Sequence, residues 1–377
     1  MRTLMLGCGE MGRVAIADLF LHGGCEHIVV GVRKPEQAKA RLSWSGLSKQ
    51  KLEFCALDLN NPNGLADFFS GFDVVVNCAG PNYKYEITVA EAAIAAHVNV
   101  VDLNDDYETT LRLYELDQAA KDAGVAVVMG LGASPGVNNI LVRAAANELD
   151  EVDEIHTSWI MSAADPGGMA LSQHLLFSLS GPALTVQDRR MIEVQSFRDG
   201  KERIEFLKPV GPMDVYHVGH PEPITLSRAF PEARTVDDKA SFNPPFINEL
   251  ILRLGEMVRH ANGTVNTSTG PVEAMDYAAA QLLQACKRVA GVPRDGALRV
   301  EVKGKKGRND LRIIYSAIGR ITNGTGIPAA IGAKMLLDGK IVKTGILAPE
   351  DCIDPEDFLE EMLNRGIGDL EEERIPC

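Results

Sequence analysis

Met5 to Arg13 reads MLGCGEMGR. Gly7, Gly9 and Gly12 stand in the spacing G-x-G-x-x-G, directly after the apolar run TLML from Thr3 and at the opening of the amphipathic stretch MGRVAIADLFLHG. A strand, a glycine turn and a helix in that order suit a dinucleotide pyrophosphate. The first glycine makes the tight turn, the second lets the phosphates approach the backbone, and the third lets the helix pack close to the sheet. The helix N-terminus, with Glu10 and Met11 in its first turn, then faces the phosphates. The motif alone is weak; its surroundings decide what it means.

Those surroundings are regular. Strand-like runs TLMLG, HIVVGV, LEFCAL, DVVVNC, VNVVDL and VAVVMG begin at Thr3, His27, Leu52, Asp73, Val98 and Val125, with helical patterns between them. Continuous apolar strands separated by amphipathic helices predict a parallel sheet covered on both faces. Six of them match a doubly wound α/β (Rossmann) domain over residues 1–136. The texture then changes. A helix GVNNILVRAAANEL leads into the alternating EIHTSWIMS (Glu154 to Ser162), followed by two expected hairpins, RMIEVQSF-RDGK-ERIEFLKPV and ALRVEVKG-KKGRND-LRIIYSAIG. These predict a second, α+β domain over 137–322 with an antiparallel, half-exposed sheet, serving substrate binding and dimerisation. Residues 323–377 are expected to pack back on the first domain. They carry the apolar helix GTGIPAAIGAKMLLDGKI and a last helix with Asp354 as N-cap and Pro355 at its first position.

Bulk properties exclude several classes. The chain has 377 residues, 45% hydrophobic and 24% charged, and a net charge of −14, which argues against a general nucleic-acid surface. The basic cluster VKGKKGR (Val302 to Arg308) is expected as a solvated hairpin tip. No apolar run is long enough to span a bilayer and no leader pattern is present, so the cytoplasm is the expected location. The N-x-[ST] matches at Asn262, Asn266 and Asn323 then carry no weight. Seven cysteines without a C-x-x-C predict buried thiols rather than a zinc site or disulfides. HVGH (His217 to His220) lacks a third ligand at a sensible spacing, so no metal is expected.

The stretch IVVGVRKPEQ (Ile28 to Gln37) addresses the choice of cofactor. An acid at the end of this second strand would accept hydrogen bonds from the adenosine ribose and repel a 2′-phosphate. Arg33 and Lys34 stand there instead, and their charges would attract that phosphate. The expected cofactor is therefore NADP(H), with NAD as the alternative. Asp58, after the third strand, joins the expected cofactor contacts, as do Ala79, Gly80 and Pro81 after the fourth. Ligands of such folds bind outside the carboxyl ends of the strands. Tyr83, Asn104, Ser134, Asn138 and Asn139 are therefore expected to meet substrate, and Asp102 and Asp105 to serve as acid or base. Ser134 is also a natural N-cap with Pro135 following, and Asn104 and Asp105 have helix capping as an alternative.

Three segments carry a family resemblance. CAGPNYKYEITVAEAAIAAHVNVVDLNDD, GASPGVNNILVRAAANEL and the run from RITNGTGIPAAIGAKMLLDGKI through DPEDFLEEMLNRGI together resemble the saccharopine dehydrogenase family. That family includes saccharopine reductases, lysine ε-dehydrogenases and carboxynorspermidine dehydrogenases. The resemblance extends from Met1 to about Gly366 and thins between Gly168 and Lys201. It implies a nicotinamide-dependent enzyme that makes or breaks a C–N bond at an amino acid, and it implies that Gly324 to Pro328 lie near the ligand. Ser134 departs from the pattern, because saccharopine reductases tend to carry an acid there. Their substrate-carboxylate arginine falls in a loop that aligns loosely with YHVGHPEPITLSR (Tyr216 to Arg228). His217, His220 and Glu222 of that stretch are the further acid–base candidates, and Arg228 the further substrate contact. The expected reaction is reduction of an imine to a secondary amine, of the saccharopine type, on an amino-acid or polyamine-like substrate, by a homodimer. Oxidative deamination of the lysine ε-dehydrogenase type and carboxynorspermidine-type reduction are the alternatives within that chemistry. A non-catalytic NADP(H) sensor is the alternative outside it.

Overall fold

The computed structural model describes residues 1–42, 52–165, 167–261, 263–268, 270–367 and 369–376. Asn262 and Cys377 lie outside the described residues. The chain forms two units, Met1–Ile140 with Thr322–Ile367, and Leu141–Ile321 with Gly368–Cys377.

In the first unit every run read as a strand is one: β1 (Arg2–Leu6), β2 (His27–Val32), β3 (Leu52–Ala56), β4 (Val74–Asn77), β5 (Asn99–Asp102) and β6 (Ala126–Val128). All pair in parallel, and β1 lies between β2 and β4. The order of the strands therefore reverses at β1, which puts the topological switch point beside the glycine motif. The central strands β1, β2, β4, β5 and β6 are apolar along most of their length because helices cover both faces, whereas the edge strand β3 carries the exposed Glu53. Val75, Val100 and Val127 sit in one such interior with Val89, Ala90 and Ala93 of the helix Asn82–Ala96.

The second unit contains β7 (Glu151–Ser162), β8 (Pro182–Gln187), β9 (Arg190–Gln195), β10 (Glu202–Glu205), β11 (Pro212–His217), β12 (Thr235–Asn243), β13 (Thr264–Thr267), β14 (Gly270–Glu273), β15 (Gly296–Lys306) and β16 (Asn309–Gly319). Two sequence expectations are corrected here. The stretch RMIEVQSF-RDGK-ERIEFLKPV is not a hairpin, since β9 pairs with β8 and β10 with β11. Asp188 and Arg189 make the β8–β9 turn by adopting positive φ, 50° and 61°, a turn that no glycine advertises. The sheet is also not purely antiparallel, for β12 runs parallel to β7 along its full length. The other hairpin is present as β15 and β16, but its turn is only Gly307–Arg308, so Lys305 and Lys306 belong to the ladder. Helices Met169–Ser178, Phe246–His260 and Ala274–Lys287 cover Trp159, Met161 and Phe242 of the central strands.

The closing segment serves both sheets. The helix Ile321–Leu337 leads to β17 (Gly345–Leu347), which pairs with β6 and gives the first sheet seven strands among the described residues rather than six. The helix Pro355–Asn364 follows, with the Asp354 carboxylate accepting from Asp357 N at 3.1 Å. Arg365, just after it, donates from Nε to both oxygens of the buried Asp18, at 2.8 and 3.0 Å. The last strand, β18 (Asp369–Pro376), pairs with β16 in the second sheet. The expectation that everything after residue 323 returns to the first unit therefore fails for these final residues. The charged run Glu371 to Arg374 suits an edge strand, where charge discourages pairing with another chain. No helix among the described residues is long and apolar enough to cross a membrane.

Candidate functional site

The glycine loop is built by backbone proximity. Gly7 has φ +87°, and a Cβ there would meet Cys78 O at 2.6 Å, so the loop can press on the end of β4 only without a side chain. A Cβ on Gly12 would meet Gly7 O at 2.7 Å, which is the close helix packing expected of the third glycine. Gly9 differs: a Cβ placed on it would meet nothing within 4 Å, so its face is open to an approaching ligand. It is the N-cap of the helix Glu10–His22 and supplies no side-chain cap, which leaves the first N–H groups, of Glu10, Met11 and Gly12, for an anion. Glu10 pairs with Arg13, which moderates the negative charge of the first turn. Gly326 of the Ile321 helix packs on this element, where a Cβ would meet Met11 O at 2.6 Å. The residues present thus fit a dinucleotide pyrophosphate.

At the adenosine end Arg33 and Lys34 are both exposed beyond β2, outside the packing of helix and sheet. Asp58 is exposed as well. Its carboxylate accepts from Asn60 N and Nδ2 at 3.0 and 2.7 Å, bonds that hold it below the usual carboxylate range with help from the nearby Arg33 charge.

The ends of β4, β5 and β6 are tied by buried side chains, and here several expectations change. Asp102 is fully buried, its Oδ1 accepting from Asn104 N at 2.7 Å and Gly130 N at 2.8 Å. Burial pushes its acid up to about 6, against the lowering effect of those two donors. Asn104 is buried and donates to Thr110 Oγ1 at 2.8 Å, so it shapes the turn rather than facing a ligand. Asp105 accepts from Asn82 Nδ2 at 3.0 Å, and Asp106 Oδ2 from Tyr83 N at 2.7 Å. The β5 loop is thereby bound to the first turn of the Asn82 helix. Neither Ser134 nor Pro135 caps a helix, because the helix Val137–Asn147 begins after them. Instead Ser134 Oγ accepts from Asn138 Nδ2 at 3.1 Å. Asn139 is buried, accepting from Gly136 N at 3.0 Å and donating to Glu350 Oε2 at 2.9 Å, so it clamps the turn. Tyr83, Ser134 and the stretch Ala79–Gly80 remain partly exposed; Pro81 is buried.

The second unit holds a cluster of acids and imidazole. His220, Glu222 and Asp238 are 3%, 0% and 1% exposed. His220 Nδ1 lies 3.3 Å from Glu222 Oε2 and 3.8 Å from Asp238 Oδ2. The turn that carries His220 passes Gly219, where a Cβ would meet Ser178 O at 2.3 Å. Glu222 opens the helix Glu222–Ala229. Asp238 comes from β12, opposite Thr157 of β7, and Trp159 stacks on the His220 ring with centroids 5.0 Å apart. Asp238 Oδ2 accepts from Trp159 Nε1 at 3.0 Å. Thr157 Oγ1 lies 2.6 Å from Asp238 Oδ1 and 3.1 Å from the carbonyl of Asp237. One hydroxyl proton cannot serve two acceptors, so a protonated Asp238 donating to Thr157 satisfies the whole set. Burial, then the charge of Glu222, holds the Asp238 acid well above the usual carboxylate range. The three ligating atoms are close enough to hold a metal ion. Trp159 N–H is already aimed at the Asp238 oxygen that such an ion would use. The arrangement sets one imidazole nitrogen, His220 Nδ1, against two buried carboxyl groups.

His217 is half-buried at the end of β11, packed so tightly on Gly200 that a Cβ there would lie 2.2 Å from the ring. Burial pushes its basicity down, and its charged neighbours are Asp237, Lys239 and Asp199, a set distinct from the His220 cluster. Arg228 is exposed near the end of its helix. The stretch Tyr216 to Arg228 is thus no single loop but a strand end, a turn and a helix. Sequence reading misses Glu86, Asn77, Thr157, Trp159 and Asp238. A signal exists for two of them. Asp238 alternates with Val236, Ala240 and Phe242 on the inward face of a strand, and Glu86 stands in line with Val89, Ala90 and Ala93 on a helix. An acid on an apolar stripe is costly unless it is protonated or paired.

Comparison with known proteins agrees with this fold. Residues 3–128 match the saccharopine dehydrogenase NADP binding domain, and residues 132–367 the saccharopine dehydrogenase C-terminal domain. The chain is 23% identical to carboxynorspermidine synthase of Vibrio alginolyticus, over 95% of this chain and 90% of that protein. It is also 23% identical to carboxyaminopropylagmatine dehydrogenase of Synechocystis sp., over 97% and 96%. The solved structure of apo saccharopine dehydrogenase (L-Glu forming) from Saccharomyces cerevisiae shares the fold at a TM-score of 0.68 and 16% identity, covering 99% of each chain. With both of its units matched by family models, the chain belongs to the saccharopine dehydrogenase family and is an NAD(P)-dependent oxidoreductase acting on the CH–NH group of its donor.

Proposed function

We propose that the enzyme reduces an imine, formed between an amine of a polyamine or amino acid and a carbonyl compound, to a secondary amine at the expense of NADPH. The supporting observation is the similarity, over nearly the full length of both partners, to two proteins named for carboxylated polyamines. In the reaction the amine and the carbonyl lose water to give the imine. The imine carbon then gains hydride and its nitrogen gains a proton.

NADPH, when bound, supplies the hydride. The open face at Gly9 and the uncapped N–H groups after it would hold the pyrophosphate, and Arg33 and Lys34 the 2′-phosphate. Ala79 and Gly80, at the end of β4, would pass the second ribose. Of the acid–base candidates, His220 and Glu222 form the closest pair, with His220 Nδ1 3.3 Å from Glu222 Oε2, and they would serve the amine nitrogen as acid or base. Asp102 is a weaker candidate, since it is fully buried with its Oδ1 already accepting from two backbone N–H groups. We further propose a cytoplasmic homodimer.

The test follows NADPH oxidation by the purified protein. Lysine, ornithine and polyamines are each paired with 2-oxoglutarate, pyruvate or an aldehyde, with NADH alongside, and light scattering reports the oligomer. The expected result is turnover that requires both members of one pair and is faster with NADPH. Oxidation of an amine by NADP+ without any carbonyl partner would replace this reading with oxidative deamination. Tight NADPH binding without turnover on any pair would replace it with a sensor.

A further inference from the structure

Glu86 and Asp102 are both 0% exposed, one on the helix Asn82–Ala96 and the other at the end of β5. Their surroundings fix where protons lie. Asn77, also fully buried, accepts from Ala79 N at 3.0 Å with Oδ1, which orients its amide and sends Nδ2 to Glu86 Oε2 at 2.7 Å. Asp102 Oδ1 is occupied by two backbone N–H groups. This leaves Glu86 Oε1 and Asp102 Oδ2, each buried and each without an N–H donor. Both oxygens lack any hydrogen-bond partner as bare carboxylates, and two buried carboxyls that raise each other's burden of charge can satisfy such oxygens only by sharing a proton.

We propose that Glu86 is a neutral acid donating to ionised Asp102, and that this buried proton bridge is a positioning device for the strand ends that hold the nicotinamide half of the cofactor. The assignment of the proton follows from the donors. Asp102 receives two backbone N–H groups, which stabilise a charge there, whereas Glu86 receives one side-chain amide. The charged influences on the pair from outside it are Asp105 and Asp106 of the β5 loop. Both are acids, so their fields favour keeping the proton; the nearby Cys78 thiol is held neutral by burial. Burial, then the Asp102 charge, holds the Glu86 acid well above its usual range. Through Asn77 the bridge reaches Ala79, and through Asp102 it reaches Asn104 and Gly130, one anchor at the end of each of β4, β5 and β6. In a doubly wound fold those ends face the second mononucleotide.

The functional half of this inference rests on the NADP(H) reading above, while the proton itself does not. Infrared difference spectra of the wild type against Glu86→Gln should show a protonated-carboxyl band that the variant lacks. Gln can accept from Asn77 and donate to Asp102, so it should bind NADPH within about threefold of the wild type, whereas Glu86→Ala should weaken binding by roughly tenfold or more. Wild-type affinity should fall toward alkaline pH as the bridge loses its proton, and Glu86→Gln should stay flat. A missing band overturns the proton assignment. A band without any loss of NADPH affinity in Glu86→Ala, or Glu86→Gln as impaired as Glu86→Ala, overturns the positioning role. Should Glu86→Ala fail to fold, the band and the alkaline profile of Glu86→Gln decide alone.

Discussion

The two regions that carry chemistry are made in opposite ways. The cofactor face of the first unit is assembled from backbone: a positive φ at Gly7, an open face at Gly9, and N–H groups at a helix start. The His220 cluster of the second unit is assembled from buried side chains on β7, β12 and a turn, with Asp238 and Thr157 meeting across paired strands. Backbone recognition tolerates almost no substitution but needs only a short run of consecutive residues. A side-chain cluster tolerates isosteric change but depends on strand register far along the chain. The first should therefore fail through shape and the second through protons.

The largest effect expected from that contrast is at Gly7. Gly7→Ala should cost about 1–2 kcal/mol for the left-handed backbone alone, and the collision with Cys78 O adds to it. Thermal denaturation should show the loss and isothermal titration should show no NADPH binding. Gly9→Ala sharpens the comparison, because it should melt like the wild type yet bind NADPH poorly. Normal binding in Gly9→Ala would mean that the pyrophosphate does not approach there.

An intermediate effect is expected at Arg33, where recognition passes from backbone to an exposed charge. Arg33→Ser should raise KM for NADPH by roughly tenfold to a hundredfold, the worth of a charged hydrogen bond, and leave KM for NADH nearly unchanged. Equal changes for both cofactors would remove Arg33 from the 2′-phosphate site.

The smallest effect is expected at Asp238, and it is one of slope rather than level. Its acid is raised in the folded state, so its contribution to stability is complete below the unfolded value of about 4 and declines as pH rises toward the folded value. Asn can donate to Thr157 and accept from Trp159, so Asp238→Asn should keep the fold. Its melting temperature should fall less steeply than that of the wild type as pH rises above about 4. A variant with an unchanged slope would show that Asp238 is ionised in the native state.

The contrast also explains what is legible in the sequence. The first sheet announces itself because its central parallel strands are runs of apolar residues, and TLML, HIVV and VVVN need no partner to be recognised. The cofactor loop is local, so its glycines and the cations Arg33 and Lys34 can be read where they stand. The strand β12, TVDDKASFN, is hidden, because two acids sit where a half-buried strand is expected to be plain. Asn104 and Asn139 invite a substrate role because polar residues at strand ends look like ligands, yet both satisfy turns in the interior. Their hydrogen-bond partners are remote or main-chain, and no spacing rule distinguishes a polar group that faces a ligand from one that closes a turn. The hairpin error has the same origin. Asp188 and Arg189 turn the chain without glycine, while the glycine of RDGK suggests a turn that belongs elsewhere.

The late arrival of β17 has a consequence for how the molecule is made. A nascent chain can build β1 to β6 soon after they leave the ribosome, but the outer edge of β6 stays unpaired until residues 141–321 of the second unit and the helix after them have been synthesised. At ordinary translation speeds that interval is on the order of ten seconds or more. During it, an apolar strand edge is exposed to other chains. The shortness of β6, only Ala126–Val128, limits what such an edge can recruit. The time the ribosome needs to cross the second unit is thus the time for which this edge waits, a dependence that the finished fold no longer displays.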